Sequence, residues 1–287
     1  HFTYGERTNT RIYCGIIADN TYLYLGTDNG ILVYNYRTDK YEQPDTDFPT
    51  DVRTMVLQGD TLWIGSLNGL YTYQLKSRQL NHFDSKQTGL PHNTIYSIIH
   101  TKDNQIYIGT YNGLCRYVQA SGKFENILLP VNRGGSNLFV NSLLEDTTRQ
   151  CIWIGMEGYL FQYNPTTGEM KAIEVFHNNS IKSLALDGDE NLLAGTDNGL
   201  YVYQNDKEPL QHIIHDSRNI QSLTNNIIWN IFSDQEHNIW LGTDYGISLS
   251  RYNSALQFVP ISQITGTGDG NQFYSLFRDS KGFYWFG

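Results

Sequence analysis

The sequence predicts an all-β chain: a β-propeller of four-stranded blades, with six to seven repeats inside its 287 residues. Three observations predict it. An apolar strand ending in Gly-Thr or a close variant returns six times and begins a seventh, its glycine falling at Gly26, Gly65, Gly109, Gly155, Gly195, Gly242 and Gly287. A period of about 40 to 47 residues with strand chemistry is that of a radial β array. No segment keeps a helical period, and Tyr (21) and Phe (13) are abundant while Pro (7) is scarce, as suits strands.

Each repeat carries its elements in one order. An apolar stretch comes first, such as residues 94–99 or 226–232, and a polar turn follows, such as 101–104. The second strand, for example 105–109, ends in the glycine. Glycine in a crowded strand admits a close neighbouring backbone, and the Trp, Tyr or Leu near it supplies apolar area between blades. The Asn-Gly step that follows, as in Asn29-Gly30, Asn68-Gly69, Asn112-Gly113 and Asn198-Gly199, predicts a type I′ hairpin with positive φ at both central residues. A third strand such as 114–117 leaves the turn, and a Gly or Asp turn leads into a short fourth strand such as 123–127. The fourth repeat, Glu157-Gly158-Tyr159, lacks the Asn-Gly step and so the turn geometry it encodes. The run 139–145 comes nearest to a helix, and its register with the other repeats makes it a strand. One blade cannot bury both of its faces, so neighbours must stack.

Composition excludes several function classes. Net charge is −9 with no basic block, which argues against nucleic acid as a partner, because phosphate binding needs a concentrated positive face. No stretch approaches the roughly 18 apolar residues of a membrane span, so contact with a membrane is expected only through the rest of a parent chain. His1-Phe2-Thr3-Tyr4 reads as a fourth strand rather than a leader, and the chain as a mature or excised segment. Cys14, Cys115 and Cys151 fall in different repeats without ligand spacing and read as small buried hydrophobes. The phosphate loop, the two-histidine zinc helix and the nucleophile elbow are all missing from the sequence, so no cofactor, metal or catalytic residue is assigned. Residues 266–270 (Gly-Thr-Gly-Asp-Gly) open no helix and read as a linker. Asp187-Gly188-Asp189-Glu190-Asn191 offers carboxylates to a calcium ion, yet it lacks the length and terminal glutamate of an EF-hand loop and reads as an acidic hairpin turn.

The order "apolar strand, Asp-x-x-Gly, Leu-Trp-Ile-Gly-Thr-x-x-Gly-Leu, x-x-Tyr", best kept over 234–252, 103–117 and 279–287, resembles the two-component regulator propeller repeat. The resemblance runs through the whole chain. It implies the periplasmic sensor region of a hybrid two-component system of Bacteroides-like gut bacteria, part of an inner-membrane protein. In that family the sensor region is similar to two seven-bladed rings in series, followed by a small β-sandwich, a membrane helix and a cytoplasmic histidine kinase. It further implies an oligosaccharide ligand derived from dietary or host glycans, a homodimer through the sensor region, and control of polysaccharide-utilisation genes. The segment itself would then sense rather than catalyse. Residues 277–287 look like the opening blade of a ring in this family, which makes 1–262 most of one ring and 263–287 the start of a further blade, in a second ring.

One register suggests a binding surface. Aligning the first strands on Gly15, Thr54, Ser97, Ser142, Ser183, Asn230 and Ser275 gives a small or polar residue in each. The position just before holds Cys14, Arg53, Tyr96, Asn141, Lys182, Trp229 and Tyr274. Fold upkeep alone would make that position uniform, and it is chemically diverse. Aromatic faces together with Arg, Lys and Asn donors suit a sugar, so Arg53, Tyr96, Asn141, Lys182, Trp229 and Tyr274 are the candidate ligand-binding residues. The competing assignment is that these side chains fill gaps between blades. Two other function classes stay open at this point. A propeller glycosidase or lyase needs two carboxylates at a defined separation across one cleft, and the 29 acidic residues do not single out such a pair. A passive protein-interaction ring needs only a partner protein.

Overall fold

A computed structural model describes residues 10–18, 21–42, 44, 46–131, 138–173, 179–204, 211–266, 271–279 and 281–287. The expected fourth strand at residues 1–4 and most of the linker at 266–270 lie outside the described residues. The fold is all-β, with six four-stranded antiparallel blades and one two-stranded hairpin, each blade an up-and-down meander in chain order. The first strands of the six blades are Ile12–Ala18, Val52–Gln58, Ile95–His100, Val140–Asp146, Ile181–Leu186 and Ile228–Ser233. The second strands are Tyr22–Thr27, Thr61–Ser66, Ile106–Thr110, Cys151–Met156, Leu192–Thr196 and Ile239–Thr243. The final hairpin pairs Leu276–Arg278 with Tyr284–Phe286. The segment 139–145 is strand, as its register required.

The chain divides into two compact units. Unit 1 is His1–Val140, Asp279–Phe283 and Gly287; unit 2 is Asn141–Arg278 and Tyr284–Phe286. In each, the core lies between consecutive blades rather than within one. In unit 1, Ile31, Val33, Phe48, Val52, Leu62 and Ile64 pack blade 1 against blade 2. Trp63, Ile95, Ile98, Ile106 and Ile108 pack blade 2 against blade 3. In unit 2, fully buried Trp153 packs with Ile181, Leu184 and Ala194. Leu193, Ile228, Ile231 and Leu241 continue the pattern into blade 6. A blade is thus stable only with its neighbour in place.

The recurring glycine of the second strand is a socket. A β-carbon built on Gly65 would lie 2.6 Å from Ile95 Cγ2, and one on Gly26 would lie 2.6 Å from Val52 Cγ1. Val140 meets Gly109 in the same way in unit 1, as Ile181 meets Gly155 and Ile228 meets Gly195 in unit 2. A β-branched residue at the start of the next blade therefore fills the space each glycine leaves open. In blade 6 the backbone oxygen of Phe273 takes that place at Gly242.

The hairpin turns correct the expectation of type I′ geometry. In the first blade Thr27 pairs with Gly30, so the two loop residues are Asp28 and Asn29, one place earlier than Asn-Gly. Positive φ occurs at Gly30, Gly69, Gly113, Gly199 and Gly246 and not at the residues before them. These are turns with negative φ at both central residues and a glycine following, as in the type I family with glycine at the last position. The hydroxyl before the loop holds them. Thr27 Oγ1 donates to the Gly30 carbonyl at 2.9 Å and accepts from the Asn29 N–H at 3.1 Å. Ser66, Thr110, Thr196 and Thr243 repeat both bonds. Tyr245 can therefore stand where other repeats have Asn. In the fourth blade Met156 has no hydroxyl, and the turn is closed by backbone bonds: Met156 N–H to the Tyr159 carbonyl at 2.9 Å and Gly158 N–H to the Asn179 carbonyl at 2.8 Å.

The turns between first and second strands are built around a carboxylate. Asp187 Oδ1 accepts from the Asp189 and Asn191 N–H groups at 2.9 and 2.8 Å, and Oδ2 accepts from Asn191 Nδ2 at 2.8 Å. The 187–191 segment is thus an acidic hairpin turn whose first carboxylate is engaged by its own loop. Asp234 does the same and also accepts from Trp240 Nε1 and the Tyr284 hydroxyl, both at 2.8 Å.

Candidate ligand-binding surface

The diverse position of the first strand is a β-bulge. Val52 pairs with Ser66 and Thr54 with Gly65, which leaves Arg53 as the extra residue. Tyr96, Lys182 and Trp229 are extra in the same way. A bulge lifts a residue out of the ladder and re-aims its side chain. That is the physical reason this position varies while its neighbours do not: its side chain is released from packing between sheets.

Blade 1 requires a correction. Ile12 pairs with Thr27 and Cys14 with Gly26, so the bulge residue is Tyr13 and not Cys14. Cys14 occupies the small-residue position, where its sulfur lies against the Gly26 socket and is aimed at the Val52 carbonyl at 4.0 Å. Burial pushes its thiol up to about 12, against the pull of a backbone bond from Gly26 and the charge of Arg53. The missed signal was the β-branched residue that precedes each bulge. Val52, Ile95, Ile181 and Ile228 are continued in blade 1 by Ile12, which points to Tyr13.

In unit 1, Arg53 and Tyr96 are half-buried on consecutive blades. The Arg53 guanidinium lies 3.8 Å over the ring of Tyr13, and Asp51 is 3.7 Å from its Nη2. Burial pushes the Tyr96 phenol above the usual tyrosine range, while the charge of Arg53 pulls it back. Beside Tyr96, Phe139 packs at 5.9 Å between ring centres, and Tyr111 then packs edge-on to Phe139 at 4.1 Å. His92 extends the row, 5.0 Å from Tyr111.

In unit 2 the structure brings three candidates into one row. Lys182 Nζ lies 4.5 Å over the Trp229 ring, and Trp229 packs against Tyr274 at 5.1 Å. Asp244 and Gln272, which the sequence did not single out, fix this row from behind. Asp244 Oδ1 accepts from Trp229 Nε1 at 3.1 Å and from Gln272 Nε2 at 2.7 Å. Gln272 Oε1 in turn accepts from the Tyr274 hydroxyl at 2.7 Å. Asn141 stands apart from that row: its Nδ2 donates to Ser180 Oγ at 3.4 Å, and the Ser180 N–H donates to Asp197 at 3.0 Å. Asp197 and Asp244 follow the Gly-Thr step of their blades, and at Asp244 the loop after the second strand supports the bulge residue Trp229. The unit 1 row thus offers aromatic faces and a guanidinium, and the unit 2 row offers aromatic faces, an ammonium, an amide and a carboxylate. Among the described residues no three His, Cys, Asp or Glu side chains are grouped to hold a metal ion.

Comparison with known proteins follows the same lines. The family model of the two component regulator propeller matches residues 89–112 and 222–245. Two crystal structures of the extracellular domain of BT4673 from B. thetaiotaomicron, described as a one-component and as a hybrid two-component system, are 82% and 83% identical to the chain over its whole length, each with a TM-score of 0.85. The chain spans 39% and 38% of those two structures. A histidine kinase P4 of Formosa agariphila is 27% identical over 82% of the chain, which spans 18% of that protein. Virginiamycin B lyase from Staphylococcus aureus, 14% identical over 98% of the chain and 93% of its own with a TM-score of 0.74, shares the fold alone. No helix among the described residues is long and apolar enough to cross a membrane.

Proposed function

We propose that this chain, which carries two-component regulator propeller repeats, is ligand-sensing blades from the periplasmic sensor region of a hybrid histidine kinase, and that its ligand is a glycan-derived oligosaccharide. The observation that carries the reading is the row of Lys182, Trp229 and Tyr274, with Asp244 and Gln272 holding its polar atoms. Aromatic faces stack on sugar rings, and fixed donors and acceptors read hydroxyl positions. The extracellular relatives support a sensor on the outer side of a membrane.

On this reading the segment recognises rather than cleaves: the carboxylates of Asp244 and Asp197 beside the candidate residues are each engaged by neighbouring donors. Sensing then works through assembly. Ligand contacts favour one arrangement of a dimer over another, by the difference in affinity between the two. The parent chain would pass this to its kinase and to genes of polysaccharide use.

Calorimetric titration of the complete extracytoplasmic region against defined oligosaccharides, with products followed by chromatography, tests the reading. Saturable binding without cleavage is the expected result, and Trp229→Ala should weaken it by about 1–3 kcal/mol, the scale of an aromatic sugar or base platform. Cleavage would establish a glycosidase or lyase instead. Silence across the panel, with a protein partner recovered, would establish a scaffold.

A further inference from the structure

Arg53 lacks the close anion that three other arginines reach. Arg116 reaches Glu125 at 2.7 Å, Arg218 reaches Asp216 at 3.1 Å and Arg278 reaches Glu236 at 2.7 Å. Arg53 comes no closer than 3.7 Å to Asp51, beyond hydrogen-bond length. Its Nε is buried without a partner, and its side chain is only 28% exposed. What holds the cation is the Tyr13 ring, 3.8 Å beneath it. Partial burial without a hydrogen-bonded anion costs free energy, yet the chain keeps this group on a bulge, where its side chain is not needed for the ladder. In unit 2 the same strand position repeats the cation-over-ring contact: Lys182 lies over Trp229.

We infer that Arg53, stacked on Tyr13, forms an anion subsite in unit 1, so that the oligosaccharide recognised by this chain carries a carboxylate or a sulfate group. This rests on the oligosaccharide-sensing reading above. A guanidinium held over a ring keeps its planar fork of N–H donors, which matches two oxygens of either group. Asp51 is near enough to compensate the charge in the free protein and too far to hold the fork, so an incoming anion displaces no formed hydrogen bond.

The test titrates the complete extracytoplasmic region with three sets of oligosaccharides of matched length: neutral, uronate-bearing and sulfated. Binding is expected in one acidic set, which names the source of the charge, and should weaken as salt is raised. Arg53→Ala should weaken it by about 10- to 100-fold, the size of a lost charge-assisted bond. Arg53→Lys keeps charge without the fork and should also weaken it. Asp51→Asn removes the competing carboxylate at a left-handed position (φ 53°) that Asn tolerates, and should tighten binding several-fold. Lys76→Ala, in an exposed pair with Asp60, controls for overall charge and should change nothing. If only neutral oligosaccharides bind, or if acidic ones bind equally to Arg53→Ala and Asp51→Asn, the anion subsite is wrong and the sensing reading stands. If no set binds, the sensing reading fails and takes the subsite with it.

Discussion

Gly109 illustrates how one residue governs contact between blades. A β-carbon there would lie 2.6 Å from Val140 Cγ1 and 2.8 Å from the Val140 carbonyl oxygen, with Ser97 Oγ closer still. Backbone is among the atoms in the way, so the clash cannot be relieved by turning one side chain. Gly109→Ala should destabilise by about 1–3 kcal/mol, the usual range for overpacking. Urea unfolding reads it as a lower midpoint at unchanged slope. Gly168 offers a contrast, since nothing lies within 4 Å of its β-carbon position and only its φ of 75° opposes alanine. Gly168→Ala should cost about 1 kcal/mol, the backbone term alone. The socket was legible in the sequence as a glycine in a strand, but its plug was not. Val140 precedes a variable residue in the next repeat, and only the paired register reveals that it enters Gly109. The same gap explains why Cys14 was read for Tyr13: a bulge adds one residue without changing the apolar pattern that a sequence displays.

At the scale of the element, the turns rest on polar atoms whose partners are scattered along the chain. Burial pushes the Asp234 carboxyl up, and bonds from Trp240, Asn238 and Tyr284 outweigh it, so it titrates below the usual carboxylate range. Asp146 behaves alike: burial is outweighed by Trp153 Nε1, 3.0 Å away, and by Arg149. Both groups bind protons less readily in the folded chain than in the unfolded one. Their stabilisation is therefore complete above the unfolded value of about 4 and is lost as pH falls through the lower folded values. Asp234→Asn should lower stability at pH 7 by roughly 1–3 kcal/mol through mismatched donors, and it should flatten the acid limb of the stability curve. A variant that shifts the whole curve evenly, acid limb included, would show that the carboxyl is not the titrating group. The sequence displayed Asp234 as the head of a repeat motif and the Asn-Gly step as a hairpin signal. It could not display that Thr27, Ser66, Thr110, Thr196 and Thr243 clamp those turns, because a hydroxyl that bonds its own loop looks like any polar residue. The clamp moved the turn by one place and removed the need for positive φ before the glycine.

At the scale of the molecule, repetition makes the fold readable and the ligand site hard to read. Six blades agree on glycine and apolar strand, and five of them on the hydroxyl, and that agreement signals the propeller class. A binding surface is written in the positions that disagree, and disagreement has no pattern to search for except its place next to uniform neighbours. Bulge residues satisfied that criterion, whereas Asp244 and Gln272 lie outside the first strand and escaped it. The chain spans only part of its extracellular relatives. If the ligand acts by selecting a dimer arrangement, binding and dimerisation share one coupling free energy. Dimerisation must then tighten ligand binding by the same factor by which ligand tightens the dimer, on the order of 5- to 150-fold for a coupling of about 1–3 kcal/mol. Sedimentation equilibrium with and without saturating oligosaccharide measures one factor, and calorimetry above and below the dimer dissociation constant measures the other. Equal factors are expected. A dimer constant indifferent to ligand, beside tight binding, would show that the signal leaves by a route other than subunit arrangement, since a ligand with no preference between two states shifts neither.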